Sequence, residues 1–465
     1  MLVGRTTHVT PDHGAMAVHV RANINGTRVR ICGSGFYYGH EVYMQGQSSQ
    51  IELDGVRFSA LQAIVIGLAF LCALLDGLDL QVIAYVAPVV ARELELSDTA
   101  MGLVFSAGFL GLAIGSMLVA SLGDRWGRKT VIVLSLVFFG ICVLITSSAK
   151  NVEELAVLRL LTGIGLGGIM PNAIAISVEY SPGRYRPLMV TLTYIGFLLG
   201  AALGGVLAVF LVRRFGWQSV FFIAGTLPLG LAAVVLLAMP ESLEYLAQKK
   251  GVSERMTRIM ARLEITSMEI VKPAVSSGVL EGGRVMALFG QERWKSTILL
   301  WVAMFTNLLS LFSLLQWLPT LLEREGMPLG EANSLVSFMW LTAIIGSLSF
   351  VYISRKIPLQ RVLAIYLTLS VIFTAALGVA ARAEIALAWP LIIGIGLTGA
   401  AAQIGFYSLL SELYPASIRV TGIGLAQGVG RIAAIGGPSS NFCGRGVECQ
   451  NTTSDRSILR RAKAG

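Results

Sequence analysis

The chain has 465 residues, of which 55% are hydrophobic and 14% are charged, and its mean hydropathy is +0.72. Because soluble domains carry about a quarter charged residues, these values exclude a disordered chain, a coiled coil and an ordinary soluble enzyme. The apolar residues fall in long runs, each close to the roughly 20 residues that cross a bilayer. The composition therefore predicts an all-α polytopic protein embedded in a lipid bilayer.

Residues 1–56 mix Gly, Ser, His and Arg and contain no apolar stretch long enough for the core of a signal peptide. They are predicted to form a polar cytoplasmic tail without regular structure, and a wrongly assigned start codon is the alternative. All four histidines of the chain lie in this segment. Proton chemistry inside the membrane is therefore expected to depend on carboxylates.

Eleven apolar runs follow, six before and five after a polar central stretch. The first half, 57–240, holds runs at 60–89, 97–120, 130–148, 153–178, 188–211 and 218–239. Residues 241–293 are predicted to be a cytoplasmic loop, and 294–438 hold runs at 294–320, 330–351, 361–380, 386–410 and 420–438. Six spans before the loop predict six after it, so a twelfth helix is missing from the pattern. We interpret the polar, basic tail 439–465 as the product of a frameshift or a premature end.

Lys and Arg residues set the predicted orientation, since the cytoplasmic loops of membrane proteins are enriched in them. With a cytoplasmic amino terminus, the inside loops hold the basic residues of the central loop and Arg125, Arg128, Lys129, Arg184, Arg186, Arg355, Lys356, Arg361 and Arg419. The outside loops hold Arg92, Lys150, Arg213, Arg214, Arg324 and Arg382. This bias accounts for the net charge of +9 without nucleic acid as a partner.

Two short patterns occur once in each half of the chain. Glu179-x-x-Pro182-x-x-x-Arg186 is repeated as Glu412-x-x-Pro415-x-x-x-Arg419, at an offset of 233 residues (412 minus 179). Gly115-Ser116 is repeated as Gly346-Ser347, at an offset of 231 residues (346 minus 115). Repeated halves in a helical membrane protein indicate a transporter whose site lies between the halves.

The loop between the second and third runs reads Gly123-Asp124-Arg125-Trp126-Gly127-Arg128-Lys129. Its glycines permit a tight turn, and its basic residues favour the anionic cytoplasmic leaflet. We expect Asp124 to form an ion pair that breaks when the halves rock, so the loop is predicted to be a gate. A plain positively charged turn is the alternative.

Further gating residues are predicted at the same membrane face. Glu179 and Glu412 end the fourth and tenth runs, and each is followed by an arginine, Arg186 or Arg419. Cross-half ion pairs of these residues would close the cytoplasmic side, and ordinary helix-end salt bridges are the alternative. With the loop, the predicted gate comprises Gly123, Asp124, Arg125, Arg128, Glu179, Arg186, Glu412 and Arg419.

Two carboxylates lie deep in the first apolar run. Asp76 and Asp79 would each cost about 2.5–3.5 kcal/mol at the centre of a membrane helix. Their i, i+3 spacing places them on one helix face, which must therefore point inward. Two neighbouring carboxylates in a low dielectric favour protonation of at least one of them. The pair is predicted to couple transport to protons, and a structural hydrogen-bonded pair is the alternative.

Two arginines lie inside later runs. Arg431 is about mid-membrane in the eleventh run, where its planar guanidinium needs an anionic partner. It is predicted to bind the substrate anion, or an acidic side chain when the site is empty. Arg159 lies nearer the outer end of the fourth run and is also a candidate for binding substrate.

Several polar and aromatic residues in the runs are candidates for contacting a ring and its hydroxyl group, although packing is the alternative for each. They are Tyr85, Asn307, Gln316, Trp317, Gln403 and Tyr407. Gly163-Ile164-Gly165-Leu166-Gly167-Gly168 matches G-x-G-x-x-G, but no strand precedes it, so it is interpreted as small residues for close helix packing. The sequence shows neither a metal-ligand cluster nor a catalytic triad, and no cofactor is predicted.

These motifs resemble those of a known transporter family. The loop 123–129 resembles the signature of the major facilitator superfamily. Asp76-Gly77-Leu78-Asp79 resembles the D-G-x-D motif of the aromatic acid:proton symporters, and that family's fourth and eleventh spans are similar to 168–173 with Glu179-Tyr180 and to 428–431. The resemblance, over residues 57–438, implies two pseudo-symmetric six-helix bundles. It also implies proton-driven import of a carboxylate such as 4-hydroxybenzoate across a bacterial inner membrane, by a monomer.

One loop departs from this family. Its members usually carry an acidic residue and a histidine after the eighth span, where this chain has Ser354-Arg355-Lys356-Ile357-Pro358. A gate charge or proton relay at this loop is therefore not expected. Four alternatives to the function also stay open: a sugar or polyol porter, another organic-anion:proton symporter, a drug:proton antiporter and an inactive truncated transporter. The sugar porter shares the Pro240-Glu241-Ser242 ending of the sixth run but leaves the buried charges unexplained.

Overall fold

The computed structural model describes residues 16–24, 27–38, 41–44, 59–182, 185–250, 259, 293–380, 387–414 and 416–439. Long helices make up most of this part of the chain. The basic tail from residue 440 and most of the predicted central loop lie outside the described residues.

The amino-terminal segment differs from the predicted unstructured tail. Its backbone forms a three-stranded antiparallel sheet of β1 (Met16–Ile24), β2 (Thr27–Tyr38) and β3 (Glu41–Met44). Ile24 pairs with Thr27, so two residues join the first two strands. The sequence between them is Asn25-Gly26, a strong hairpin signal, and apolar residues alternate with polar ones along β1. This alternation is the signal that the sequence analysis missed.

The first half consists of six long helices and two short ones. They are α1 (Ala60–Glu93), α2 (Asp98–Leu118), the short α3 (Leu122–Trp126), α4 (Arg128–Thr146), α5 (Val152–Glu179), α6 (Arg186–Phe215), α7 (Trp217–Ala238) and the short α8 (Leu243–Lys250). Side chains cap several starts: Ser59 forms a capping box with Gln62, and Ser97 and Asn151 accept from backbone amides. The six predicted spans of this half are helical.

The second half repeats this order with five long helical segments. They are α9 (Arg293–Arg324), α10 (Leu329–Ile353), α11 (Leu359–Ala380), α12 (Ala388–Ile395) continued through a π-helical turn (Gly396–Ala400) into α13 (Ala401–Leu413), and α14 (Ala416–Ser439). Ten segments of the described chain are long and apolar enough to span a membrane. The predicted eleventh span, α14, is helical but is not among the ten, because its glycines, Gln427 and Arg431 lower its hydropathy.

Close glycine contacts show that the two halves repeat the same packing. A Cβ on Gly115 of α2 would overlap the carbonyl oxygen of Ile164, and one on Gly346 of α10 would overlap that of Leu397. In the same way, Gly163 of α5 lies against the carbonyl of Gly108, and Gly396 lies against that of Met339. The predicted role of the glycine-rich stretch 163–168 in close helix packing is confirmed.

We call the end of the bundles where α1 and α9 finish, at Glu93 and Arg324, the latch end, and the opposite end, with the loop 119–127, the motif end. Several cross-half hydrogen bonds and ion pairs lie between mid-helix and the latch end. Gln81 Nε2 donates to the Leu315 carbonyl at 3.0 Å, and Asn333 Nδ2 donates to the Tyr85 carbonyl at 3.2 Å. The halves are therefore closed together at the latch end.

Candidate functional site

A buried ion pair joins the first and fourth predicted spans. Arg159 Nη2 lies 2.9 Å from Asp79 Oδ1, and both side chains are almost fully buried, with 4% and 2% of their surface exposed. The second guanidinium nitrogen, Nη1, approaches the backbone carbonyl of Asp79 at 3.4 Å. The guanidinium also lies 5.4 Å from the centre of the Phe221 ring. Each charge is thus neutralised inside the bundle, as buried charges require.

A second acid and base, Asp76 and Arg431, interact electrostatically across the two halves. Asp76, one helical turn before Asp79, is 4% exposed and therefore faces neither lipid nor bulk water. Its carboxylate is within electrostatic range of both Asp79 and Arg431 of α14. Arg431 is half-buried, whereas Arg159 is 4% exposed. The structure thus pairs Asp79 directly with Arg159 and places Asp76 within electrostatic range of Arg431.

A small cavity lies beside the buried ion pair, between α1, α2, α5 and α9. It has a volume of about 20 Å³, and both halves contribute to its wall. Its polar lining consists of Asp79, Arg159, Thr162 and Gln316, and Phe105 and Phe109 are among its apolar lining residues. The predicted contact Gln316 is therefore adjacent to the charged pair, whereas sequence reasoning missed Thr162.

Aromatic side chains cover this region where the halves meet. Phe105 of α2 packs edge-to-face on Trp317 of α9, with ring centres 5.4 Å apart. Phe109 packs on Phe312 of the same pair of helices at 4.8 Å. Trp317 thus lies near the site, as predicted, but its ring contacts another aromatic side chain.

Two of the other predicted substrate contacts, Tyr85 and Gln403, are buried within the bundles. Tyr85 is fully buried, and its hydroxyl donates to the Ala201 carbonyl at 3.0 Å, so in this conformation it joins α1 to α6. Gln403 is 5% exposed, and neither of its amide atoms has a hydrogen-bond partner within the described chain. The side chain of Tyr407 lies outside the described residues. Asn307 of α9 has a buried amide nitrogen that likewise lacks a partner among described residues.

The loop at the motif end folds tightly against α5. A Cβ on Gly123 would overlap Asn172 Oδ1, while Asn172 Nδ2 donates to the Gly168 carbonyl at 2.8 Å. Gly127 has a φ of +99°, a conformation that glycine adopts without strain. The glycines of the motif are thus required by close approach and by the backbone turn.

A carboxylate from the end of the sixth span holds the start of α4. Glu241 Oε1 accepts from the backbone amide of Lys129 at 2.9 Å, and Tyr180 donates its hydroxyl to the Glu241 carbonyl at 2.7 Å. A carboxylate at this position neutralises the positive end of the helix dipole. The sequence analysis noted the Pro240-Glu241-Ser242 pattern but did not assign this contact.

The partner of Glu179 differs from the predicted one. Glu179 forms an ion pair with Arg128 and accepts hydrogen bonds from Ser242 Oγ at 2.7 Å and from the Leu243 amide at 3.0 Å. All of these partners belong to the first half or to the segment just after it. In this conformation the ion pair of Glu179 is therefore a contact within one half, the alternative to the predicted cross-half pair.

The remaining predicted gate residues are Asp124, Arg125, Arg186, Glu412 and Arg419. The Asp124 side chain is 79% exposed and lies 3.8 Å from Arg128 Nη2. Arg125 and Arg186 each interact with other parts of the protein. Glu412 and Arg419 lie on α13 and α14, but their side chains are outside the described part of the chain.

At the latch end, the sequence analysis missed two cross-half ion pairs. Arg92 Nη1 lies 2.7 Å from Glu323 Oε1, and Arg324 Nη1 lies 2.9 Å from Asp98 Oδ2. Arg92 and Glu323 are 231 residues apart, which is the repeat offset found for Gly115 and Gly346. The internal repeat could have predicted this contact, because it places the ends of α1 and α9 at equivalent positions.

Two repeated helix bundles that enclose buried charges at their interface define a secondary transporter. Comparison with known proteins agrees. The family model described as Major Facilitator Superfamily matches residues 69–438. A gallate transporter of Pseudomonas putida is 33% identical over 83% of this chain and 86% of its own length. The 4-hydroxybenzoate transporter PcaK of Pseudomonas aeruginosa is 32% identical over 83% of this chain and 87% of its own. The chain belongs to the major facilitator superfamily.

Solved structures give the same fold. A bacterial homologue of the human lysosomal transporter Spinster, in an inward-facing conformation, is 18% identical, covers 86% of each chain and has a TM-score of 0.67. The predicted superfamily, the all-α polytopic fold and the resemblance to aromatic acid transporters are confirmed. This protein is a multi-pass membrane transporter and not an enzyme.

Proposed function

We propose that this protein imports an aromatic carboxylate together with protons across the bacterial inner membrane. The proposal is supported by the buried ion pair of Asp79 with Arg159 and by the electrostatic interaction of the buried Asp76 with Arg431 of the other half. Two of the related proteins are named for gallate and 4-hydroxybenzoate, which are both hydroxylated ring carboxylates. An arginine binds such a carboxylate well because its planar fork can donate two parallel hydrogen bonds.

The proposed orientation follows from the basic residues. The motif end carries Arg125, Arg128 and Lys129 and is therefore assigned to the cytoplasm, with the amino terminus on the same side. The latch end then faces outward, where the ion pairs of Arg92 and Arg324 close it. In this orientation the protein is in an inward-facing conformation, and the exposed Asp124 is consistent with an open cytoplasmic side.

The proposed coupling depends on Arg431 always having one anionic partner. With an empty site, Asp76 supplies that charge. When Asp76 takes up a proton from outside, its negative charge is lost, and the carboxylate of the substrate takes its place beside Arg431. The loaded site then has the same net charge as the empty site. The halves can therefore close around the substrate at a lower electrostatic cost than if its charge were added to that of Asp76. On the cytoplasmic side, substrate leaves, Asp76 releases its proton and pairs with Arg431 again.

The aromatic ring would lie against the side chains at the junction of α2 and α9. Phe105, Phe109, Phe312 and Trp317 already stack edge-to-face there, a geometry that aromatic rings favour. A sugar or polyol porter would instead need neutral hydrogen-bonding groups, and it would leave the buried charges without a role. These features favour the aromatic acid.

Uptake of radiolabelled 4-hydroxybenzoate into proteoliposomes tests the proposal. We expect accumulation to need an inward proton gradient, and to be lost in Asp76→Asn and Arg431→Lys. Glu93→Gln is the matched control, because Glu93 lies on the same helix but accepts from Trp217 at the latch end, 2.7 Å away. Accumulation that is independent of the gradient would overturn the coupling. Competition by benzoate, protocatechuate and vanillate, with xylose as the negative control, tests the substrate class.

A further inference from the structure

The cavity beside the Asp79–Arg159 ion pair contains unused hydrogen-bonding capacity. Arg159 Nε, Thr162 Oγ1 and Gln316 Oε1 are all buried and have no hydrogen-bond partner within the described part of the chain. The three residues are 4%, 1% and 2% exposed. All three line this one cavity, and they come from both halves of the protein. Buried polar groups in proteins are nearly always paired, so this cluster needs an explanation.

The cavity has the size and chemistry that one water molecule requires. A site must offer roughly 10–15 Å³ and two to four polar partners to hold a water, and this cavity has a volume of about 20 Å³. The Arg159 Nε–H is a donor, the Gln316 Oε1 is an acceptor, and the Thr162 hydroxyl can be either. A single water can accept from the arginine, donate to the glutamine and exchange a hydrogen bond with the threonine.

We propose that this cavity binds a water molecule held by Arg159, Thr162 and Gln316, and that this water delivers a proton to the Asp79 carboxylate. The ion pair with Arg159 blocks one side of that carboxylate, and the remaining wall contains Phe105 and Phe109, which cannot carry protons. In the transfer, a hydronium ion from the outside water gives a proton to the bound water while the bound water gives one of its own to Asp79, so the bound water stays neutral. The Asp79–Arg159 bond then weakens, because the charge on the acid is lost.

Because of Gln316, the closure of the cavity depends on how the two halves are arranged. Gln316 belongs to α9 in the second half, whereas Asp79, Arg159 and Thr162 belong to the first half. When the halves separate at the latch end, the cavity loses this wall and opens towards the outside. The bound water then exchanges with outside water, and Asp79 gains access to protons from that side. This role in proton delivery rests on the proposed proton coupling and places Asp79 before Asp76 on the route of the proton, whereas the binding of water does not depend on that coupling.

The sign of a stability change tests whether water is bound. In Thr162→Val the hydroxyl is replaced by a methyl group of similar size. If the cavity holds water, the variant loses a hydrogen bond, and its midpoint of thermal unfolding in detergent falls. If the cavity is dry, the variant removes an unsatisfied buried hydroxyl, and the midpoint rises. Thr146→Val is the matched control, since Thr146 is also fully buried but donates to the Cys142 carbonyl at 2.8 Å.

We expect the midpoint of Thr162→Val to fall, as that of Thr146→Val falls through the loss of its hydrogen bond, and we expect density for an ordered water in a high-resolution map of the wild type. An unchanged or raised midpoint would overturn the water site, as would a map with ordered waters elsewhere and none in this cavity.

Transport assays test the role in proton delivery. In Thr162→Val we expect proton-driven uptake of 4-hydroxybenzoate to slow severalfold, while exchange of internal for external 4-hydroxybenzoate stays at the wild-type rate. Equal slowing of both processes, or of neither, would overturn the proton-delivery role. If the wild type itself ignores the proton gradient, the proposed function fails, but the stability comparison still decides whether the water is bound.

Discussion

The Asp79–Arg159 ion pair is the contact whose removal should be most informative. Replacing Asp79 by Asn leaves a guanidinium that is 4% exposed without its counter-charge. At 2.9 Å and an effective dielectric constant of about 20, the attraction between the two charges is about 6 kcal/mol. Most of this offsets the cost of removing both charges from water. Breaking a buried pair from one side nevertheless destabilises proteins by about 3–5 kcal/mol.

We therefore expect Asp79→Asn to lower the free energy of unfolding by about 3–5 kcal/mol in mixed-micelle equilibrium denaturation. The double variant Asp79→Asn, Arg159→Gln should recover much of this loss, because no unpaired charge then remains buried. Proton-driven uptake should stay absent in both. Additive effects of the two single changes on stability would refute the reasoning, since they would mean that the two charges do not depend on each other.

Three further predictions concern packing and closure. Gly115→Ala should markedly destabilise the protein, because its Cβ would overlap the Ile164 carbonyl, whereas Gly67→Ala, with open space around it, should be neutral in thermal unfolding. Tyr85→Phe should lower the free energy of unfolding by about 1 kcal/mol, because the hydrogen bond to the Ala201 carbonyl is lost. The KM for 4-hydroxybenzoate should stay unchanged, and a raised KM would indicate that Tyr85 contacts the substrate. Partly exposed ion pairs contribute about 0.2–1 kcal/mol, so Arg92→Ala should raise the fraction of molecules that are open at the latch end by up to about fivefold, as measured by spin-label distances. The charge exchange Arg92→Glu, Glu323→Arg should restore the wild-type fraction. An unaltered distance distribution would exclude a role for this pair in closure.

The buried charges show how far sequence reasoning reaches. Asp76, Asp79, Arg159 and Arg431 were identified because charged residues inside apolar runs are costly, and that cost can be read without coordinates. Their grouping near mid-membrane also follows from the sequence, since helices of known length and alternating direction place residues at predictable depths. Which acid contacts which base does not follow, because it depends on the rotation and spacing of helices that are far apart in the chain.

The motif end illustrates the opposite case. The sequence places Glu179 at a helix end near the basic loop, and in this conformation its partner is Arg128 of the same half, the alternative to a cross-half pair. Many basic residues lie within reach of such a position, so local patterns cannot select one. The predicted roles of Glu412, Arg419 and Tyr407 stay predictions.

By itself the sequence determined the membrane location, the order of the helices, the internal repeat and the residues that carry charge into the bilayer. These properties depend on hydropathy and on short spacings, which act along the chain. The tertiary structure alone decided the pairing of Asp79 with Arg159, the ion pairs at the latch end and the shared cavity of Thr162 and Gln316. Those features arise where helices from distant segments pack, and a one-dimensional pattern holds no record of the angles at which they meet.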